Sequence, residues 1–561
     1  MERGARVAGL QPRGPARDGR RRAFLLLRDE RTGRRGRVRA APAGELSRPD
    51  RHVYDVLIVG GGPAGCAAAA SLARRGHDVA LITRPAPPAK WLAESIPGSA
   101  RKLLERVGAL DALDAAGLVP NEGNTVWWAG MPRREERFGE REHGFHAERA
   151  ALEAVFHGVA READVRLVTD GPVIETAEEP DGWRVATSAA RYRGRWVLDA
   201  SGRAGVFARR GLRARERGIA TLALVGRWTA DCGHAPPDPG CTLIESYHDG
   251  WAWSVPTSPR TRCVTAMVDP RRTHLAREKG LGGMWRAELA KAARLGRRLE
   301  GGRLQGPVRA CPASLYGATS HGRPGLLLVG DAGSFIDPLS SYGVKKALAS
   351  AWLAAIVTHT GLDDDAMARP ACELYDDRER EVYRTYRALS VPFFEQAAAA
   401  NDHAFWEVRL AAAREAGADI PGPASAPGAP AVSEPGDRSL AERRVDAFLA
   451  HPEVRTAWET IRSLPAVRLR PASGLSSVPR PAVVDDRIAL ETHLISDRLP
   501  DGARYVRNVD LRRLVEVAPD SDQVPDLFET YNRRGTAVPL PDFLAALSFA
   551  VGAGFLQLAD P

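Results

Sequence analysis

Lysine is scarce in this chain. Only six of its 79 basic residues are Lys, and none lies between Lys102 and Lys279. Chemistry that needs a local ammonium in that interval is therefore excluded. Long apolar runs are missing as well: no stretch reaches the roughly eighteen residues of a spanning helix, and the longest, at 545–556, is too short. The apolar patch at 23–27 is shorter than a secretory core, so the sequence predicts a cytoplasmic protein without membrane association. The six cysteines make no CxxC pair and no His/Cys cluster with metal spacing, which predicts reduced thiols and no metal site.

What is present is an ordinary globular composition, 44% apolar and 27% charged, over 561 residues. That length suits a two- or three-part enzyme. The net charge of +9 is confined to residues 1–52, which hold fifteen Arg and six acids; the remainder balances. No basic groove, and hence no nucleic-acid partner, is predicted. The segment 1–52 reads as a disordered arm or as an extension upstream of the true start. A Gly/Ala/Pro/Ser-rich stretch at 416–437 reads as a linker. The expected organisation is a body at 53–400 with a sheet inserted at about 212–315, a helix end and linker at 401–439, and a C-terminal part at 440–561.

The first sharp motif follows a β-branched strand, Tyr54-Asp55-Val56-Leu57-Ile58-Val59. It is Gly60-Gly61-Gly62-Pro63-Ala64-Gly65, then a small-residue helix and a second strand, Val79–Thr83. Gly60 permits a tight turn, Gly62 lets backbone approach a pyrophosphate, and Gly65 lets the helix pack on the sheet. Pro63 and Ala64 open the helix, whose free N–H groups favour phosphate. An acid usually ends the second strand; here Thr83-Arg84 stands there, leaving a hydroxyl for a ribose. Downstream, Trp196-Val197-Leu198-Asp199-Ala200-Ser201-Gly202 is a strand ending in a small-residue turn. Gly325 to Val329 is another, ending in Gly330-Asp331. The loop Phe335-Ile336-Asp337-Pro338-Leu339-Ser340-Ser341-Tyr342-Gly343 then leads into a helix at Val344. Gly280-Leu281-Gly282-Gly283 follows no apolar strand and reads as a loop.

These three segments, in this order, resemble the FAD-binding fold of the glutathione-reductase type. The resemblance implies an α/β fold with FAD as cofactor. It places Asp331 on the ribityl chain and Arg149 near the cofactor, with Asp199, Asp337, Pro338, Gly343 and Val344 among the flavin-binding residues. Strand-like alternation at 221–228, 241–247, 251–256 and 263–268 predicts an antiparallel sheet roofing the flavin. The C-terminal part reads as a helix at 440–463, a strand pair at 487–494 and 503–509, and helices at 511–517, 524–534 and 540–556. It faintly resembles winged-helix-like peptide-binding domains of peptide maturation enzymes.

Trp251-Ala252-Trp253-Ser254-Val255-Pro256, Glu94-Ser95-Ile96-Pro97 and the 335–343 loop resemble the flavin-dependent tryptophan-halogenase superfamily. That family steers hypohalous acid through a Lys, placed some thirty residues beyond the Glu-x-x-Pro loop. The matching stretch here, Pro120-Asn121-Glu122-Gly123-Asn124-Thr125-Val126-Trp127-Trp128, has none. Tyr342 also stands where the family's halide loop carries Thr, and Ser340 where indole halogenases carry Glu.

The resemblance without the Lys implies a monooxygenase: a flavin C4a-hydroperoxide that hydroxylates an electron-rich aromatic, with a Trp-containing peptide as the specific expectation. A separate flavin reductase is the expected partner. Tyr342, His248, Trp251 and Trp253 are the candidate catalytic residues, with Glu245 a further neighbour of the ring and His248 typed as a base. Three alternatives stay open. One is a halogenase using Lys90 or Lys345, another a flavin-dependent double-bond reductase, and the third a non-catalytic flavoprotein scaffold that binds a peptide.

Overall fold

A computed structural model describes residues 52–84, 92–139, 142–216, 218–231, 238–275, 277–417 and 440–559. The Arg-rich segment, the linker, Lys90 and Cys232 lie outside the described residues.

Five strands form a parallel layer in the order Leu326–Leu328, Arg191–Asp199, Val53–Val59, Val79–Ile82, Arg166–Val168. Leu326–Leu328, Val53–Val59 and Val79–Ile82 read as near-continuous apolar runs because both faces of the layer are covered there, whereas Arg191–Asp199 alternates exposed and buried over its first half. The register pairs Val59 with Asp199 and with Ile82, and Asp199 with Leu328. This alignment is what matters for function. It brings Gly60, Thr83, Ala200 and Gly330, which are scattered over 271 positions of sequence, to one carboxyl edge, where open α/β sheets bind ligands. The helix Pro63–Ala73 starts at that edge and is buried almost throughout. It packs against the long helix Gly343–Asp363, and their alanines let the two backbones approach closely.

The second layer is an antiparallel sheet. Its order is Gly302–Leu304, Leu222–Ala230, Thr261–Val268, Gly250–Ser258, Cys241–Tyr247, Gly123–Trp127, Arg134–Arg137. The four strands expected from alternation are present. Two further strands come from 123–137, outside the 212–315 span, and Gly123–Trp127 joins in parallel to Cys241–Tyr247. Alternation sorts the side chains to two cores. Leu224, Leu243, Ala252 and Val264 face Trp285 and Leu295, whereas Ile244, Trp251 and Met267 face Phe394, Phe405 and Trp406.

The reading of Gly280–Gly283 as a loop is corrected: these residues begin the helix Gly280–Lys291. Met284, Trp285 and Leu289 bury one face against the sheet, which outweighs the cost of glycine in a helix, about 1 kcal/mol each. The expected helix at 440–463 is two, Leu440–Leu449 and Pro452–Ser463, broken where Pro452 can only begin a new one. The strand Arg487–Ser496 pairs along its length with Ser476–Val484, and only its end pairs with Leu499–Ala503. Pro479 and Pro481 disguise the partner strand in the sequence, although an edge position tolerates them. Helices Leu511–Val517, Val524–Arg533 and Leu540–Gly552 enclose a core containing Leu514, Tyr531, Phe543 and Phe549. An open cavity of about 450 Å³ lies between Leu449, Val454, Trp458 and Leu544, with Arg455 and Arg507 also lining it. The β-ribbon docks on the long helix through Arg487–Asp363 at 2.8 Å and through the Ile488 amide, which donates to Thr360 Oγ1 at 2.9 Å. No helix among the described residues is long and apolar enough to cross a membrane.

Candidate active site

At the first turn, Gly60 has φ +116°, and a Cβ there would lie 2.3 Å from the Ala200 carbonyl oxygen. A Cβ on Gly65 would lie 1.8 Å from Gly60 O. Both positions are closed to any side chain. Gly62 differs: among the described residues its one near neighbour is Arg149 Nη2, 3.0 Å from the same imagined atom. The backbone at Gly62 is thus open except toward a cation, as a phosphate cradle requires. Arg149 is held by Glu94 at 2.8 Å and Glu153 at 2.9 Å. Burial alone would weaken its hold on the proton, but the two carboxylates outweigh that and keep it above its usual range. Thr83 is buried and its hydroxyl donates to Arg84 O, while the Arg84 side chain is exposed. His157, which the sequence reading missed, contacts Gly61 O at 2.8 Å.

Asp199 is not free to hold a ligand. Its carboxylate accepts from the Ser201 amide and hydroxyl and from the amides of Phe207 and Ala208, and it is fully buried. The expected cofactor contact is corrected to a turn-organising role: four donors leave that carboxylate nothing to offer.

At the Gly-Asp turn, Gly330 has φ +62° and its amide donates to Ser350 Oγ at 2.9 Å. The Asp331 carboxylate stays partly exposed, 3.8 Å from Lys346 Nζ. Lys346 is buried and donates to Ser334 Oγ at 3.0 Å and to Gly330 O at 3.3 Å. Tyr316 Oη donates to Asp331 O at 2.6 Å. Neither Lys346 nor Tyr316 emerged from motif reading. The adjacent lysines 345–346, at a helix start in a lysine-poor chain, were the available signal.

The loop that follows folds on itself. Asp337 accepts from the Leu339 amide at 3.0 Å, and burial pushes its carboxyl above the usual range, partly countered by that amide and by Arg409. Pro338 starts the one-turn helix that Asp337 caps. Ser341 takes φ +55°, an uncommon conformation for a non-glycine residue, and so turns the chain into Tyr342. The Tyr342 and Tyr386 rings lie 5.5 Å apart. Among the described residues a Cβ on Gly343 would meet nothing within 4 Å, and Val344 is buried behind it, so the start of the long helix has open space beside Gly343.

The sheet contributes Trp251, 1% exposed, and the half-buried Trp253, whose rings meet edge-on at 5.8 Å. Both join the core that includes Phe335 and Leu339 of the loop. Glu245 does not: it points to the opposite face and accepts from the Arg294 and Leu295 amides at a helix start. His248 sits exposed at the hairpin tip, 5.0 Å from the His403 ring. Strand alternation explains Glu245, and a tight turn at 247–250 explains His248.

In the stretch that lacks a lysine, the Asn121 side chain is tied to neutral neighbours. Asn121 donates to Ser95 Oγ at 3.1 Å and Ile96 O at 3.3 Å, and accepts from the Gly123 amide. Ser95 and His146 both contact Thr242 Oγ1, at 3.3 and 3.0 Å. Burial, and then the nearby Arg262 charge, push the His146 imidazole down to about 3, so it is neutral at physiological pH. The Lys345 ammonium is buried, 3.2 Å from Ser99 Oγ and 5.7 Å from the Tyr342 ring centre.

A closed glycine turn, Gly62 beside Arg149, a partly exposed Asp331 and open space beside Gly343 fit a flavin dinucleotide. The comparisons with known proteins agree. A tryptophan halogenase family model matches residues 120–417, and an FAD-dependent oxidoreductase model matches 55–95. The chain is 28% identical over 381 residues to tryptophan 2-halogenase of Chondromyces crocatus, covering 64% of this chain and 72% of that protein. It is 28% identical over 363 residues to flavin-dependent halogenase rdc2 of Metacordyceps chlamydosporia, covering 59% and 69%. Among solved structures it resembles CmlS, a flavin-dependent halogenase (TM-score 0.67, 21% identity, 91% of this chain and 96% of that one). It also resembles QhpG, a peptidyl tryptophan dihydroxylase (TM-score 0.60, 20% identity, 86% and 98%). At those identities the two structures speak to the fold alone. FAD is the cofactor of this fold.

Proposed function

Because this chain belongs to the tryptophan halogenase family, we propose that it uses the family's flavin for oxygen transfer: it is a monooxygenase that hydroxylates an electron-rich aromatic ring. The observation that carries this reading is that Asn121, in the stretch where a relay ammonium would stand, bonds the neutral Ser95, which with His146 meets Thr242. Reduced FAD with dioxygen supplies an electrophilic oxygen atom.

The chain's own residues bind, orient and seal. Gly60, Gly62 and Gly65 with the Pro63–Ala73 helix start receive the pyrophosphate, and Arg149 neutralises it. Thr83 offers a hydroxyl to the adenosine ribose and Asp331 a carboxylate to the ribityl chain. The helix start at Gly343 and Val344 would hold the isoalloxazine end of the cofactor, with open space beside Gly343. Trp251, Trp253 and Phe335 exclude water from the reacting centre and hold the aromatic substrate against it. The Tyr342 phenol fills the space a halide would use.

The substrate we propose is a Trp side chain within a peptide, because QhpG, whose fold this chain shares over 86% of its length, is a peptidyl tryptophan dihydroxylase. The cavity at Trp458 and Leu544 gives the C-terminal part a surface for flanking residues. We further propose a separate flavin reductase as electron donor and a cytoplasmic setting.

A second reading is halogenation through Lys345. Its buried ammonium beside Tyr342, and the halogenase names of the relatives, favour it. One experiment separates the two: aerobic turnover with FAD, a reductase and Trp-bearing peptides or indoles, under labelled dioxygen, with and without chloride and bromide. Label in the product, independent of halide, supports oxygen transfer; a halide-dependent mass gain supports the second reading. Turnover without oxygen, or none with any acceptor, overturns both.

A further inference from the structure

His77, His359 and Asp363 lie far from the flavin cleft. His77 follows the nucleotide helix, at the amino edge of the strand Val79–Ile82, and His359 is about 24 Å along the long helix from Gly343 at 1.5 Å per residue. His77 Nε2 is 2.8 Å from His359 Nδ1, and His359 Nδ1 is 3.9 Å from Asp363 Oδ2; one ligand atom from each residue falls within 4.8 Å of the others. We infer that these three side chains form a binding site for one divalent ion of the zinc type, clipping the turn after the nucleotide helix to the long helix Gly343–Asp363.

The donor set is chemically suited. Two imidazoles and a carboxylate are a borderline ligand set, which a zinc-like ion accepts with water in a fourth position. Tetrahedral ligands at about 2.0–2.2 Å stand roughly 3.3–3.5 Å apart, so side-chain ends need move only about an ångström. His359 and Asp363 share one helix face through their four-residue spacing. His77 comes from a turn 282 positions away from His359, which is why no spacing in the sequence announced the cluster.

Its surroundings complete the case. In the metal-free contact one imidazole must donate to the other. His77 has a second carboxylate on its far side, with Nδ1 4.0 Å from Asp55 Oδ2. Where His77 donates, moving its proton to Nδ1, toward Asp55, frees Nε2 for the ion; where His359 donates, moving its proton to Nε2 frees Nδ1, and in neither case is a proton lost from the protein. Asp363 also accepts from Arg487 of the ribbon at 2.8 Å, and Asp55 faces Arg195 at 3.6 Å. The ion and Arg487 therefore compete for one carboxylate.

The test is calorimetric titration of zinc chloride into chelator-treated, FAD-loaded protein, with flavin absorbance confirming the fold of each variant. The expected result is one zinc per chain. His77→Gln and His359→Gln should each weaken uptake by more than the 10–100-fold typical of outer-shell changes, and Asp55→Asn by about tenfold. Arg487→Ala should tighten it, which a merely structural role for the cluster would not produce. No saturable uptake, or uptake unchanged in both histidine variants, overturns the proposal.

Discussion

Asn121 Nδ2 lies 3.1 Å from Ser95 Oγ, its bond tying the start of the Val119–Trp127 segment to the strand Ala93–Ile96 beneath it. Both side chains are buried, so the pair cannot fall back on water. Asn121→Ala leaves the Ser95 hydroxyl and the Ile96 carbonyl short of a donor and should cost about 1–3 kcal/mol. Urea unfolding followed by tryptophan fluorescence measures it. Because the site holds no relay charge, the same variant should not make product formation depend on halide.

The glycine turn makes a graded prediction. Gly65→Ala forces a carbon to within 1.8 Å of a backbone oxygen that cannot yield, so this variant should lose FAD and stability together. Gly62→Ala meets only the end of a flexible arginine at 3.0 Å. It should fold normally yet bind FAD about tenfold more weakly, a loss of roughly 1.4 kcal/mol. Flavin fluorescence gives the affinity and circular dichroism the fold.

How much of this was legible beforehand follows from the range of the interactions involved. The strand–turn–helix at 53–73 and the hairpin at 241–258 are local patterns, with glycine and alternation in plain view, and both appear where expected. Asp199 was misassigned because a strand-end carboxylate looks the same whether it faces a ligand or caps its own turn; Ser201, Phe207 and Ala208 decide that. Glu245 was misplaced for the same kind of reason, since the side of the sheet a residue takes depends on packing by the helix Ala293–Arg298. The contribution of 123–137 to the sheet is a long-range parallel pairing without any local signal.

His146 supplies a pH prediction. Folding depresses its basicity from 6.5 to about 3, so below pH 6.5 the unfolded chain binds a proton that the folded chain refuses. Stability from this group is complete above that pH and falls as pH drops toward 3, by up to about 1.4 kcal/mol per unit. The stability advantage of the wild type over His146→Gln should therefore narrow steadily between pH 6.5 and 4. Paired urea titrations at several pH values check it, and the difference removes contributions from other groups.

His248 and Trp253 should part company. The histidine at the hairpin tip is exposed, and His248→Ala should escape the loss of about 100-fold or more that removing a general base entails. Trp253→Ala opens the apolar wall beside Phe335 and Leu339 and should raise KM for the aromatic substrate more than it lowers kcat. Steady-state kinetics with one peptide or indole acceptor distinguishes the two.

Lys345 and Tyr342 decide between oxygen transfer and halide chemistry. The ammonium is buried within 5.7 Å of the phenol ring and anchored on Ser99, so its removal perturbs packing near the loop as well as charge. Lys345→Met keeps most of the side-chain length and apolar stem while removing the charge and the bond to Ser99. If oxygen passes directly to the substrate, this variant should retain labelled-oxygen incorporation with kcat reduced by less than about 100-fold, the lower bound for losing a proton-transferring group. Tyr342→Thr should leave that chemistry in place and open room beside Gly343 for an anion, so flavin fluorescence that is indifferent to bromide in the wild type should become quenchable in the variant. A halide-dependent mass gain in the wild type that disappears in Lys345→Met, accompanied by bromide quenching in the wild type, would instead assign the ammonium to halide transfer.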